Sequence, residues 1–181
     1  MTDQAVLTAS NIWNSTVPSS TVFSLSTHAS NNASNGTYIA YCFHDVTGYS
    51  KFDSYTGSGS SGLTITTGFR PALVIIKQSS AAGENWYMFD STREPFNDLQ
   101  IALKADENVA EASNSAKAVE FTATGFKIKS TNSALNTNTA TYIYCAWAGG
   151  QDSISTYNTT GTIDSRVKAS TTYGQSIVSY N

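Results

Sequence analysis

Three carboxylates, Asp90, Glu94 and Asp98, recur along one stretch of the chain beside Trp86, Tyr87 and Phe96. Two acidic groups flanking a bound sugar are what glycoside hydrolysis requires. Their spacing suits one face of a helix, but Pro95 interrupts the stretch and removes that geometry. The competing reading, which the residue types favour, is that Asp90 and Arg93 pair across a turn and hold the loop that begins there. Nucleophilic catalysis fares worse, because it needs a base beside the nucleophile and a third group to orient it. The two histidines, His28 in a Ser-Thr-Asn tract and His44 beside Asp45, stand next to no Gly-x-Ser-x-Gly elbow. Cys42, His44 and Asp45 include metal-ligand types, but strand alternation puts Cys42 and His44 on one face and Asp45 on the other. The run Gly57-Ser58-Gly59-Ser60-Ser61-Gly62 lacks the following Lys and helix of a phosphate loop and reads as a flexible hairpin loop. The sequence therefore predicts no catalytic residue, no metal and no cofactor, with a divalent cation on Asp90 or the Asn-rich loops as the open alternative, since hard cations take carboxylate and carbonyl oxygens.

What remains for ligand contact is aromatic. Trp86 and Tyr87, with Asp90 and Arg93 close behind, form the candidate binding group, since Tyr and Trp offer flat apolar faces with a polar handle for sugars or proteins. Alternation in a strand turns one of Trp86 and Tyr87 outward. Tyr49, Tyr55, Tyr157 and Tyr173 lie near expected strand edges, where core or inter-subunit packing is the more ordinary role.

The elements that must position these residues are β-strands. The chain has 181 residues, of which 40% are apolar and 13% charged; the charged fraction is about half the usual value. Ser, Thr, Asn and Gly must therefore supply the polar surface. A net charge of −3 argues against a nucleic-acid partner. No apolar run is long enough to span a bilayer, so no membrane insertion is expected. Met1-Thr2-Asp3-Gln4 has no secretory signal character. Cys42 and Cys145 each sit in an apolar run and are expected to be free, buried thiols rather than a disulfide.

Short β-branched and aromatic runs punctuated by Gly, Ser and Asn predict strands near 37–43, 49–56, 62–66, 72–78, 85–90, 118–122, 125–130 and 140–147. The fold expected is all-β, an antiparallel β-sandwich of jelly-roll or concanavalin-like form. Val119–Thr122 and Phe126–Lys129 flank a Gly-containing turn and read as a hairpin, with Phe126 and Ile128 inward and Lys127 and Lys129 outward. A short helical segment is expected near 98–112, where Leu99, Leu103 and Val109 stand among Ala, Lys and Glu; Asn114-Ser115 argues against its continuation.

The chain also repeats itself. Thr37-Tyr38-Ile39-Ala40-Tyr41-Cys42 recurs, one residue shorter, as Thr141-Tyr142-Ile143-Tyr144-Cys145, and Phe52-Asp53-Ser54-Tyr55 recurs more weakly as Ile177-Val178-Ser179-Tyr180. This divides the chain into residues 1–48, an arm or the end of a preceding module contributing a strand; 49–148, a complete sandwich module; and 149–181, a linker and a strand opening a following module. Unpaired strands expose backbone and recruit partners, so residues 1–48 and 173–181 are expected to complete a sheet, either by pairing with the central module or across chains, and a homo-oligomer is the expected form.

The ordered block formed by Gly48–Gly59, Thr67–Lys77, Trp86–Arg93, Gly125–Ile128 and Ala140–Trp147 resembles a repeated β-sandwich module of tail-fibre and structural proteins of marine bacteriophages, cyanophages and pelagiphages among them. Trp13–Thr16 and Val22–Leu25 resemble the end of a preceding copy, and Arg166–Ser170 the lead into a following one. The resemblance implies a location in the virion, contacts with copies of itself and other virion proteins, host-surface glycan as a further partner, and no catalytic residues. The alternatives kept beside it are a carbohydrate-binding module and a glycan depolymerase. Such modules usually occur within much longer proteins, whereas this chain has its last residue at Asn181.

Overall fold

The computed structural model describes residues 10–149. Strands β1 (Ser50–Thr56), β9 (Thr141–Ala148), β3 (Pro71–Gln78), β4 (Tyr87–Asp90), β5 (Ile101–Lys104) and β6 (Ala112–Ser113) lie side by side in that order. A second sheet has the order β2 (Leu63–Thr66), β8 (Gly125–Ile128), β7 (Val119–Thr122). Every pairing is antiparallel, and the two sheets face each other across one core, so the all-β sandwich read from the sequence is the observed architecture.

Alternation decides which residues fill that core. Val74 and Ile76 of β3, Phe89 of β4 and Tyr142, Tyr144 and Ala146 of β9 meet Phe126 and Ile128 of β8 and Val119 and Phe121 of β7, all of them buried. Each large side chain removed from water here contributes about 1.5–3 kcal/mol. Tyr55 stacks on Tyr142 with ring centroids 4.9 Å apart, and Phe126 meets Tyr144 edge-on at 5.2 Å. A third contribution comes from the short helix α3 (Ser133–Asn136), whose Leu135 is fully buried. Gly125 is required where β8 meets β2, because a Cβ there would run into the Ile65 carbonyl.

The expected hairpin is β7–β8, and Lys127 and Lys129 extend from it to Glu120, each at 3.3 Å. Four expectations are corrected. No helix forms over 98–112: Ile101–Lys104 and Ala112–Ser113 are strands instead. Their backbone is claimed by the sheet, since Lys104 and Leu103 pair with Tyr87 and Met88 of β4 and Ile101 and Ala102 pair with Ser113 and Ala112; just before β5, Leu99 and Val119 exchange hydrogen bonds at 2.7 and 2.9 Å and the Glu94 carboxylate accepts the Gln100 and Ile101 N–H groups. Tertiary pairing has overridden local helix preference. The helical turn of this region is a 3-10 turn, Ser115–Lys117, capped by the Asn114 side chain.

The loop 57–62 is neither a hairpin nor loosely held. It carries the chain from one sheet to the other, and the buried Asn136 side chain pins it, accepting the Ser58 N–H at 2.7 Å and donating to the Ser60 carbonyl at 2.8 Å. Residues 37–43 form no strand, for a reason developed below. Finally, Cys145 is half-buried and Cys42 exposed, both as free thiols; Cys42 is not a core residue because its run lies outside the sandwich. The expected strand opening near 175, Tyr157, Tyr173, Arg166–Ser170 and the linker from residue 150 onward lie outside the described residues.

Candidate functional site

Strand β4 and the turn after it position the residues singled out for ligand contact. Tyr87 faces the core, 5% exposed, with the Lys117 ammonium 5.3 Å from its ring centre. Burial, then the nearby Glu84, Glu107 and Asp106 carboxylates, push its hydroxyl up to about 12. Trp86, just before the strand, is half-buried and donates its backbone N–H to Asp106 Oδ1 at 3.0 Å. Asp90 and Arg93 form the expected pair, Nε to Oδ2 at 2.5 Å. Asp90 Oδ1 accepts the Thr92 and Arg93 N–H groups at 3.0 and 2.9 Å, and Arg93 reaches on to Glu111 at 2.6 Å. Burial raises the Asp90 carboxyl, but the Arg93 N–H and guanidinium outweigh it and hold the group below its ordinary value. Trp86, Asp90 and Arg93 thus keep some surface, while the Tyr87 ring is withdrawn into the core.

The other chemistry-bearing groups are dispersed. Glu94 is committed to the Gln100 and Ile101 N–H groups, and Asp98 lies 3.8 Å from Lys129. His28 Nδ1 accepts the Ser30 N–H as the cap of the short helix α2 (Ala29–Asn32). His44 Nδ1 lies 2.7 Å from the Asp45 carbonyl. Among the described residues no three His, Cys, Asp or Glu side chains gather where they could share a metal ion, and no helix is long and apolar enough to cross a membrane.

The largest departure from ordinary surface is the arm preceding β1. It has a small nucleus: Ile12 in the short helix α1 (Ser10–Trp13) is 4% exposed, and its carbonyl accepts the Ser26 N–H and the Asn31 Nδ2. Around that nucleus the apolar residues face outward. Ile39 and Tyr41 are each 79% exposed, and Trp13, Val17, Val22, Tyr38 and Phe43 are exposed as well. Trp13, Phe23, Leu25, Tyr38, Tyr41 and Phe43 line an open groove of about 690 Å³. Exposed apolar surface of this kind makes the arm the candidate contact surface. Sequence reasoning missed the most telling property of this segment. Between Asp3 and Asp45 there is no Lys, Arg, Asp or Glu; a charge count taken along the chain rather than over the whole would have found it.

The arm joins the sandwich in a defined way. Tyr49 accepts the Ala148 N–H and Gly57 donates to the Ala140 carbonyl, so by antiparallel alternation the backbone of Ser50, Phe52, Ser54 and Thr56 points away from β9. Val46 bridges Ser50 on that outer edge. The Phe52 and Ser54 N–H groups are taken by Asp45 Oδ1 and Asp53 Oδ1, both at 2.8 Å. An edge capped by carboxylates is closed to strand addition, which is why residues 37–43 do not pair with it. Instead Phe43 stacks on Phe52 at 5.2 Å, with Trp147 edge-on to both.

Residues 1–151 match the family described as Domain of unknown function (DUF7483), and the chain belongs to that family. No curated protein and no solved structure matches it.

Proposed function

We propose that this DUF7483 chain is a non-catalytic structural module of a bacteriophage virion, in a tail fibre, tail tip or capsid appendage, assembling as a homo-oligomer through protein interfaces. The observation that carries the reading is the uncharged arm, whose large side chains Ile39, Tyr41 and Phe43 are left in water. A permanent assembly covers such surface, and its interfaces resemble a domain core cut in half. The resemblance of the ordered motifs to marine phage appendage modules supports the virion part of this reading. Host-surface glycan is a secondary partner, for which Trp86, Asp90 and Arg93 are the residues with surface to offer. A depolymerase is disfavoured because Asp90 and Glu94 are each spent on turn and strand backbone.

The test is the molar mass of the purified chain by light scattering across a wide concentration range. Virion assembly predicts a discrete oligomer of the 19.3 kDa chain that is populated in the upper part of that range. A monomer at every concentration would overturn the proposal.

A further inference from the structure

The run Tyr38–Phe43 combines three properties that bear on its partner. With Ala40 dropped, Tyr38–Cys42 repeats Tyr142–Cys145 of β9, a strand that in this fold lies between two antiparallel neighbours, β1 and β3. Its own backbone finds no ladder partner among the described residues, and the nearest open edge, that of β1, is capped by Asp45 and Asp53. One side of it is tied down: the Tyr38 hydroxyl donates to the Ala29 carbonyl and accepts the Ala33 N–H, both at 2.8 Å. Ile39 and Tyr41 are left exposed.

We infer that this run is a self-pairing edge whose occupant is the same run of a second copy, aligned antiparallel about a two-fold axis near Ala40. This rests on the proposed function and names the partner within it. Residues of this type, β-branched and aromatic, are those that fit a pleated, half-buried ladder. Selection of an unlike partner normally uses complementary charge. A segment with no charged side chain from Gln4 to His44 offers none, and it presents no like charges to repel its own copy. Two-fold pairing is also self-complementary, each copy giving and receiving the same contacts. In this register Ile39 of each chain lies opposite Tyr41 of the other, and Ala40 opposite Ala40.

The experiment uses the full chain. Ala40→Cys is introduced with Cys42→Ser and Cys145→Ser, so that position 40 carries the sole thiol, and mild oxidation is followed by non-reducing electrophoresis. Facing Cα atoms of an antiparallel pair lie within disulfide range, so a covalent dimer is expected. In parallel, Ile39→Lys with Tyr41→Lys is compared by light scattering with Phe96→Lys, a control at an exposed site remote in sequence from the arm. The double variant is expected to fall to the mass of one chain while its far-ultraviolet circular dichroism keeps the sandwich signature and its thermal midpoint matches that of the parent at dilutions where the parent is dissociated; the control is expected to associate as the parent does. An oligomer that survives the double variant, or one that gives no cross-link at position 40, overturns the self-pairing edge but leaves the proposed function standing. A parent chain that is already monomeric overturns both.

Discussion

Asp45 Oδ1 accepts the backbone N–H of Phe52 at 2.8 Å, joining the last residues of the arm to the outer edge of the first sandwich strand. The same carboxylate pairs with Lys51. One side chain therefore does two things: it closes the β1 edge to strand addition, and it fixes where the apolar arm emerges.

That contact has a pH dependence of definite sign. The hydrogen bond from Lys51, then that from the Phe52 N–H, hold the Asp45 carboxyl below its ordinary value of 3.8. A depressed folded-state value means the contact stabilises at pH above the ordinary carboxylate range and is lost as pH falls through the folded value. The Phe52 amide resonance is expected to titrate with a midpoint below 3.8, and Asp45→Asn is expected to abolish that titration. A Phe52 amide indifferent to acid would show that the arm is not held there.

The Tyr55 hydroxyl donates to the Leu135 carbonyl at 2.7 Å inside the core, tying β1 to α3. Tyr55→Phe keeps the ring stack on Tyr142 but leaves a buried carbonyl without its donor, which costs about 1–3 kcal/mol. Urea denaturation should show a lower midpoint with an unchanged slope, and the far-ultraviolet spectrum should be retained.

Much of this framework was legible from residue types. Alternation placed Phe126 and Ile128 inside, and the Ala123–Gly125 punctuation located the β7–β8 turn, because a sheet with one wet face records its orientation in every second residue. Two elements were not legible. Ile101–Lys104 became β5 because Tyr87 and Met88 of β4 and Ala112–Ser113, all distant from it in sequence, claim its backbone. The strand-like run 37–43 stayed unpaired because two carboxylates occupy the edge it would join. Periodicity reports which face of a strand is buried; it does not report whether a neighbour's edge is free. Of the candidate binding group, the Asp90–Arg93 turn was read correctly from spacing, whereas the inward side of the Trp86–Tyr87 pair needed the register of β4 to decide.

Arg93 links Asp90 to Glu111 across partly buried surface. Arg93→Ala is expected to lower stability by about 1–2 kcal/mol, the range of charge-assisted bonds discounted for partial exposure. It should leave the molar mass of the assembly unchanged. A variant that dissociates instead would place this turn in the subunit interface.

The two thiols should react at different rates. Cys42 is exposed, whereas Cys145 is half-buried and burial raises its pKa, keeping less of it as reactive thiolate. A thiol reagent applied to dilute chain is expected to modify one equivalent quickly and one slowly, with Cys42→Ser removing the fast phase. Two equal phases would contradict the placement of β9.

Hydrogen–deuterium exchange at Tyr38–Phe43, measured on dilute and on concentrated chain, tests assembly through the arm most directly. These amides have no ladder partner within the described residues, so self-pairing predicts rapid exchange when dilute and marked protection at alternate positions when concentrated, with the core amides of β9 protected in both. Rapid exchange across the whole run at every concentration, in a chain whose β9 is protected, would contradict it.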